Sequence, residues 1–280
     1  MLKFLRLTIS LALLLTISYL GFITYEHSKD YKMATSKIAK ACDANGLASE
    51  RIDELTAIIS FGLIKNESKL TLSKLKKEQE NAKINAEKYL YYFMGTLFFI
   101  LIFSFTCTIR AGAMLLSFST FISLIYGLIN PILMVTIHKQ IDYLGDVILS
   151  FESKGIIGSI SKLYESGEFA VAFTILLFSI LLPALKSLML TFMLIFYEHP
   201  WNQKMVSFFK QIGKWSMIDV FVVATFLVYF TSNTGGISQA EIQVGLYFFL
   251  AYVILSMITA IQTQKVLETK LKNSVSLLTR

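Results

Sequence analysis

Apolar residues fall into six long runs separated by polar stretches: Leu7–Tyr25, Tyr89–Ile109, Ala111–Ile137, Phe169–Tyr197, Trp215–Phe230 and Ile242–Ile261. A helix rising ~1.5 Å per residue needs about 20 residues to cross a ~30 Å hydrocarbon core, and the runs are of that order. They predict an all-α integral membrane protein with six transmembrane helices. The first run follows the basic start MLKFLR. It is longer than the roughly 7–15 residues of a signal-peptide core, and no small-x-small site follows it, so it reads as an uncleaved membrane helix.

The polar gaps have their own patterns. Glu26–Lys88 is rich in Lys, Glu, Asn and Ser and has no proline. Asn45-Gly46 reads as a helix stop and Ser49 as an N-cap. Lys74/Glu78, Lys76/Glu80 and Lys83/Glu87 are spaced i,i+4, as on an exposed helix. The segment predicts a helical hairpin or three short helices leading into the second membrane helix, serving as a spacer or as a recognition element. In the loop 138–168, Val147–Ser153 partly alternates as a strand does. Ile156, Ile157, Ile160, Leu163 and Tyr164 line one helical face, which either lies in the membrane interface or caps the bundle. Gly167 stops that helix. Glu198–Lys214 reads as a basic amphipathic elbow and Thr231–Glu241 as a short turn. The chain divides into 1–25, 26–88, 89–109, 110–264 and a tail, 265–280.

Composition agrees with the runs. Of 280 residues, 55% are hydrophobic and 16% charged, against roughly 25% charged in soluble domains. The net charge of +7 sits in the gaps between runs rather than in one stripe, which points away from nucleic acid. The short loops on one side carry ten Lys/Arg and those on the other carry three, Lys139, Lys154 and Lys162. The positive-inside rule then predicts both termini in the cytoplasm and 26–88 outside. Two cysteines, Cys42 and Cys107, are too few for a four-cysteine zinc site. No nucleophile constellation, phosphate loop or metal motif is present, so neither an enzyme nor a cofactor is expected.

Polar residues inside the runs are the candidate functional groups. Lys186 lies eleven residues from the end of its run, ~16 Å deep. A central lysine costs about 2.5–3.5 kcal/mol on insertion scales, so it needs a partner or a water-filled path. Asp219 is the carboxylate available within the later runs. It also follows Ser216 in a capping-box pattern, so capping, pairing with Lys186 and proton carriage all remain open. Ser187, Thr225, Ser256 and Thr259 are hydrogen-bonding residues that relay or glue helices. Pro131 and Pro183 predict helix kinks, with Asn130 satisfying the freed backbone.

GLINP (Gly127–Pro131), SFESKGIIGSI (Ser150–Ile160), LLPALKSLML (Leu181–Leu190) and above all IGKWSMIDVFVV (Ile212–Val223) resemble the paraquat-inducible protein A family, in that family's order and spacing. The resemblance implies a four-helix inner-membrane module. It further implies an envelope lipid-transport role, with membrane phospholipid and a mammalian-cell-entry-type periplasmic protein as partners, or a homo-oligomer. The polar core would then be Lys186, Ser187, Ser216, Asp219, Thr225 and Ser256. Family members with two modules and cysteine-rich zinc ribbons differ from this chain, which has one module and carries the 26–88 segment instead.

Overall fold

The computed structural model describes residues 2–46, 64–141, 145–196 and 238–278. Five helices in it are long and apolar enough to cross a membrane: Phe4–Ile38, Ser73–Thr106, Ile109–Ile129, Phe169–Ile195 and Val244–Thr269. The expected sixth span, Trp215–Phe230, and the basic elbow before it lie outside the described residues.

The first two spans are parts of much longer helices. α1 runs from Leu2 to Gly46 and α2 from Ile64 to Thr106, so 26–46 and 64–88 continue the two spans as helix, while 47–63, with the expected N-cap Ser49, lie outside the described residues. A seam explains the continuity. Along α1 the buried positions Ile17, Gly21, Thr24, Ser28, Tyr31, Thr35 and Ile38, with Ala34 beside them, alternate by four and three as in a coiled coil. Along α2 the matching face holds Ala82, Ala86, Phe93, Leu97 and Ile100. Near its far end Gln79 Nε2 donates to Thr35 Oγ1 at 2.8 Å.

α2 ends at Thr106, and Thr108 caps α3 (Ile109–Ile129) by accepting from the Ala111 N–H. Arg110 therefore lies in the first turn of α3 rather than ending the second span. A cation is disfavoured there by its own helix dipole. Its guanidinium instead donates to the carbonyls of Leu194 and Ile195 at 3.3 and 3.4 Å, at the negative end of another helix.

The third span was expected to reach Ile137 with a kink at Pro131. It stops at Ile129. Pro131 excludes the residue before it from the helical region, and Asn130 is accordingly extended at φ −73°, ψ 150°. Pro131 terminates the helix rather than bending it. The chain continues as β1 (Leu133–Ile141), turns back as β2 (Gly145–Lys154), and is joined later by β3 (Ser238–Ile242). The sheet is antiparallel in the order β2-β1-β3, with Leu133 opposite Lys154 on one side and Ile242 on the other. An all-α reading misses this sheet. β2 covers the alternating stretch Val147–Ser153, but β1 and β3 fall where a membrane helix and a plain turn were expected.

α4 (Ile156–Glu165) follows, and Gly167 ends it at φ 82°, in the left-handed region. Ile156 and Ile160 pack on the helix bundle while Ile157 and Tyr164 stay exposed, so half of its apolar face caps the bundle. The fourth span comprises α5 (Phe169–Ile175), a π-helical segment Leu176–Leu181 and α6 (Leu182–Ile195). α7 (Val244–Leu278) runs past Ile261 through the basic tail without a break.

α3 and α7 form the centre of the bundle. A Cβ on Gly127 would meet the Phe249 backbone nitrogen at 2.9 Å, so only glycine permits this approach. A Cβ on Gly245 would meet Pro131 O at 2.5 Å, and the Gly245 N–H donates to that carbonyl at 2.9 Å. Asn130 and Pro131 thus hold the end of α3 against the start of α7.

The helical hairpin meets the sheet through Glu241 of β3. Tyr31 Oη donates to Glu241 Oε2 at 2.8 Å, and Lys83 forms an ion pair with Oε1. Lys83, spaced i,i+4 from Glu87 on its own helix, also reaches across to the sheet. Both groups lie beyond the apolar runs of α1 and α2. The hydrogen bond to Glu241 raises the Lys83 ammonium above its ordinary value. Burial, then the bond to Glu241, raises the Tyr31 phenol well above its own.

Candidate functional site: a buried polar layer between three helices

Sequence alone places Lys186 in a long apolar run, and the structure buries it, leaving it 9% exposed on α6. The helix around it is irregular for a local reason. Pro183 has no N–H and its ring crowds the carbonyl four residues earlier. The backbone widens ahead of it, and the Leu182 N–H bonds five residues back to Leu177 O. Such π segments are frequent at functional sites. Pro183 therefore shifts the helical register rather than ending the helix. Its own carbonyl accepts from Tyr252 Oη of α7 at 3.3 Å.

That contact sets the level of the two helices, which both run away from the sheet end. One turn further along each come Ser187 and Ser256, exposed by 1% and 0%. A turn beyond them the helices are bridged to α3. Ser117 and Thr191 hydroxyls lie 2.7 Å apart, and Thr120 and Thr259 hydroxyls 3.2 Å apart. Lys186, Ser187 and Ser256 thus belong to a layer bounded by Tyr252–Pro183 on one side and by two hydroxyl pairs on the other.

The hydroxyls of this bundle divide into two kinds. Ser119, Thr120, Ser123, Thr191, Thr259 and Thr263 each donate to the carbonyl four residues back. Such back-bonding satisfies a hydroxyl where no water reaches. Ser187 Oγ and Ser256 Oγ are buried and make no hydrogen bond. A buried hydroxyl without a partner costs about 1–3 kcal/mol. For Ser187 the carbonyl four residues back is that of Pro183, which already accepts from Tyr252 Oη.

Of the residues singled out in the sequence, the structure brings Lys186, Ser187, Ser256 and Pro183 to this layer. Pro131 lies at the sheet end. Ser216, Asp219 and Thr225 lie outside the described residues. The serine and threonine face of α3, Ser117-x-x-Thr120-x-x-Ser123, was missed. Its period of three within an apolar run is the signal that would have found it.

The family model described as paraquat-inducible protein A matches residues 111–267, a little over half of the chain. The chain belongs to the paraquat-inducible protein A family. No curated protein and no solved structure matches it. The family match begins within α3 and ends within α7, so it contains the sheet, the π segment and the whole polar layer. The α1/α2 hairpin lies outside it. Within the family module, Gly127, Asn130, Pro131 and Gly155 have structural roles at the sheet end. Gly155 packs against the Asn130 carbonyl, which a Cβ there would approach to 3.3 Å.

Proposed function

We propose that this protein is an inner-membrane subunit of an envelope lipid-transport system, passing phospholipid between the bilayer and a periplasmic protein of mammalian-cell-entry type. One observation carries the reading: Ser187 and Ser256 hold unused hydroxyls at one level beside the buried Lys186. Where the hydroxyls of Ser119, Thr120, Ser123, Thr191, Thr259 and Thr263 are satisfied, a cation beside two serine hydroxyls that are not suits a phosphate passing through. Membership of the family supports it.

In this reading Asp219, Ser216 and Thr225 complete the core, and protonation of Asp219 breaks its pair with Lys186. Residues 215–230 form the sixth span. Two placements support it. α6 ends beside Arg110 at one end of the bundle, and β3 is bonded to β1 at the other. The sheet and the hairpin face the periplasm, and both termini are cytoplasmic.

The test is extraction in mild detergent followed by mass spectrometry of co-purifying lipid and protein, with Lys186→Ala beside the wild type. Enriched phospholipid and a cell-entry-type partner, lost in the folded variant, support the reading. Bulk-like lipid without a partner, unchanged by the variant, overturns it. It would favour a second reading, a scaffold that recognises its partner through residues 26–88. The tie of that hairpin to Glu241 is the observation behind this alternative.

A further inference from the structure

A cleft of 170 Å³ opens where the α1/α2 hairpin meets the start of α7. Its walls come from both sides of the family boundary: Ser28, Tyr31, Lys83, Glu87 and Leu90 from the hairpin, and Ile242, Gln243, Val244 and Tyr247 from the family module. Its lining is graded. Ser28, Tyr31, Lys83, Glu87 and Gln243 are polar, whereas Leu90, Met94 and Val244 continue it toward the apolar runs. Tyr91 and Tyr247 at its rim are exposed, as aromatic residues are at a membrane interface.

Ser28 is the second, independent observation. On the same face of α1, Thr24 and Thr35 donate to the carbonyls four residues back. Ser28, 1% exposed, does not; its hydroxyl is buried without a partner and lines the cleft. Lys83 gives one N–H to Glu241, and an ammonium carries three donors. Two remain for another acceptor. Glu87, exposed on the same wall, supplies a negative charge one turn away.

We infer that this cleft is a binding site for the headgroup of a zwitterionic membrane phospholipid, built jointly by the hairpin and the family module. Ser28 and Lys83 donate to the phosphate, and Glu87 accepts from the ammonium. The volume is below the roughly 300–1,000 Å³ of a typical whole-ligand pocket, so the headgroup enters while the acyl chains lie along the apolar faces of α2 and α7. The hairpin then selects lipid at the bilayer surface, at a distance from the Lys186 layer. The inference shares the lipid-handling reading above, but its readout is binding rather than transfer.

The test uses the full chain in detergent and dihexanoyl phosphatidylethanolamine as probe, with binding read from thermal stabilisation. Dihexanoyl phosphatidylglycerol and glycerophosphoethanolamine are measured beside it. Wild type should prefer the ethanolamine lipid. Ser28→Phe, which fills the cleft, should weaken its binding at least ~10-fold, the scale of losing one charge-assisted hydrogen bond. If Ser28→Phe fails to fold, Glu87→Gln at an exposed position stands in for it, and should abolish the preference over phosphatidylglycerol. Equal binding of both lipids by wild type would overturn the inference, as would folded variants with unchanged affinity. Competition by glycerophosphoethanolamine at the lipid's own concentration would overturn the membrane source of the ligand. Lys186→Ala should leave this binding intact, so failure of the transport reading and failure of the cleft are separately visible.

Discussion

The hairpin and the family module bury polar side chains in the same way and at different cost. In each, hydroxyls line the packed face of a helix and most of them bond back to their own backbone. In each, the pattern has exceptions: Ser28 in the hairpin, Ser187 and Ser256 in the module. Ser28 sits past the apolar run of α1, buried in the wall of a cleft whose rim is exposed. Ser187 and Ser256 are enclosed between membrane helices, where nothing but another side chain or a passing ligand can serve them. The same chemical irregularity is therefore less expensive at the interface than in the bilayer. The expensive one is the stronger sign of function.

The two regions also hold together differently. The module depends on glycines packed against backbone, while the hairpin depends on a long side-chain seam whose one tight glycine, Gly21, packs on the Tyr126 ring. The largest effect expected follows from this. Gly245→Val should prevent folding or lower stability by about 3 kcal/mol or more, since its Cβ would lie 2.5 Å from Pro131 O. Gly95→Val in the hairpin, with nothing within 4 Å of its Cβ, should stay within ~0.5 kcal/mol. Thermal unfolding in detergent compares the two, and similar losses would erase the distinction.

Lys186→Ala sharpens it on function. Removing the cation leaves Asp219, its proposed partner, uncompensated, so stability should fall by up to about 3–5 kcal/mol while the protein still folds and loses lipid handling. An unfolded variant would instead make Lys186 a structural group. Glu241→Gln weakens the link between the regions. Its ion pair with Lys83 is partly exposed on both sides, so stability should fall by no more than ~1 kcal/mol. Limited proteolysis should nevertheless show faster cleavage in the hairpin than in the module. Because the Lys83 ammonium is raised, the stabilisation it gives is fully present below its ordinary value and is lost as pH rises through the raised one. The smallest effect belongs to Ser119→Ala, which removes a hydroxyl satisfied within its own helix. It should be near neutral by thermal unfolding.

Much of this was legible in the sequence, and the gaps have physical causes. Hydropathy placed the five described spans because lipid selects strongly for long apolar runs. It extended the third one too far because Leu133–Ile137, the first half of β1, is as apolar as a helix end. Only the restriction that Pro131 puts on Asn130 shows the boundary. β3 was read as a turn, since a five-residue strand beside Gly235-Gly236 carries little periodicity of its own. The heptad seam of α1 was invisible to hydropathy because Gly21, Thr24, Ser28 and Thr35 occupy it. Lys186 stood out at once, a charge in an apolar run being rare. The α3 hydroxyls did not, because serine and threonine scarcely change local hydropathy.

The most direct measurement is photo-crosslinking in native membranes with a phospholipid carrying a diazirine in its headgroup, mapped by peptide mass spectrometry. The account predicts adducts on the α6 and α7 peptides at Ser187 and Ser256, lost in Lys186→Ala. Adducts confined to outward-facing residues such as Phe173, Phe192 and Ile254, unchanged by that variant, would contradict it.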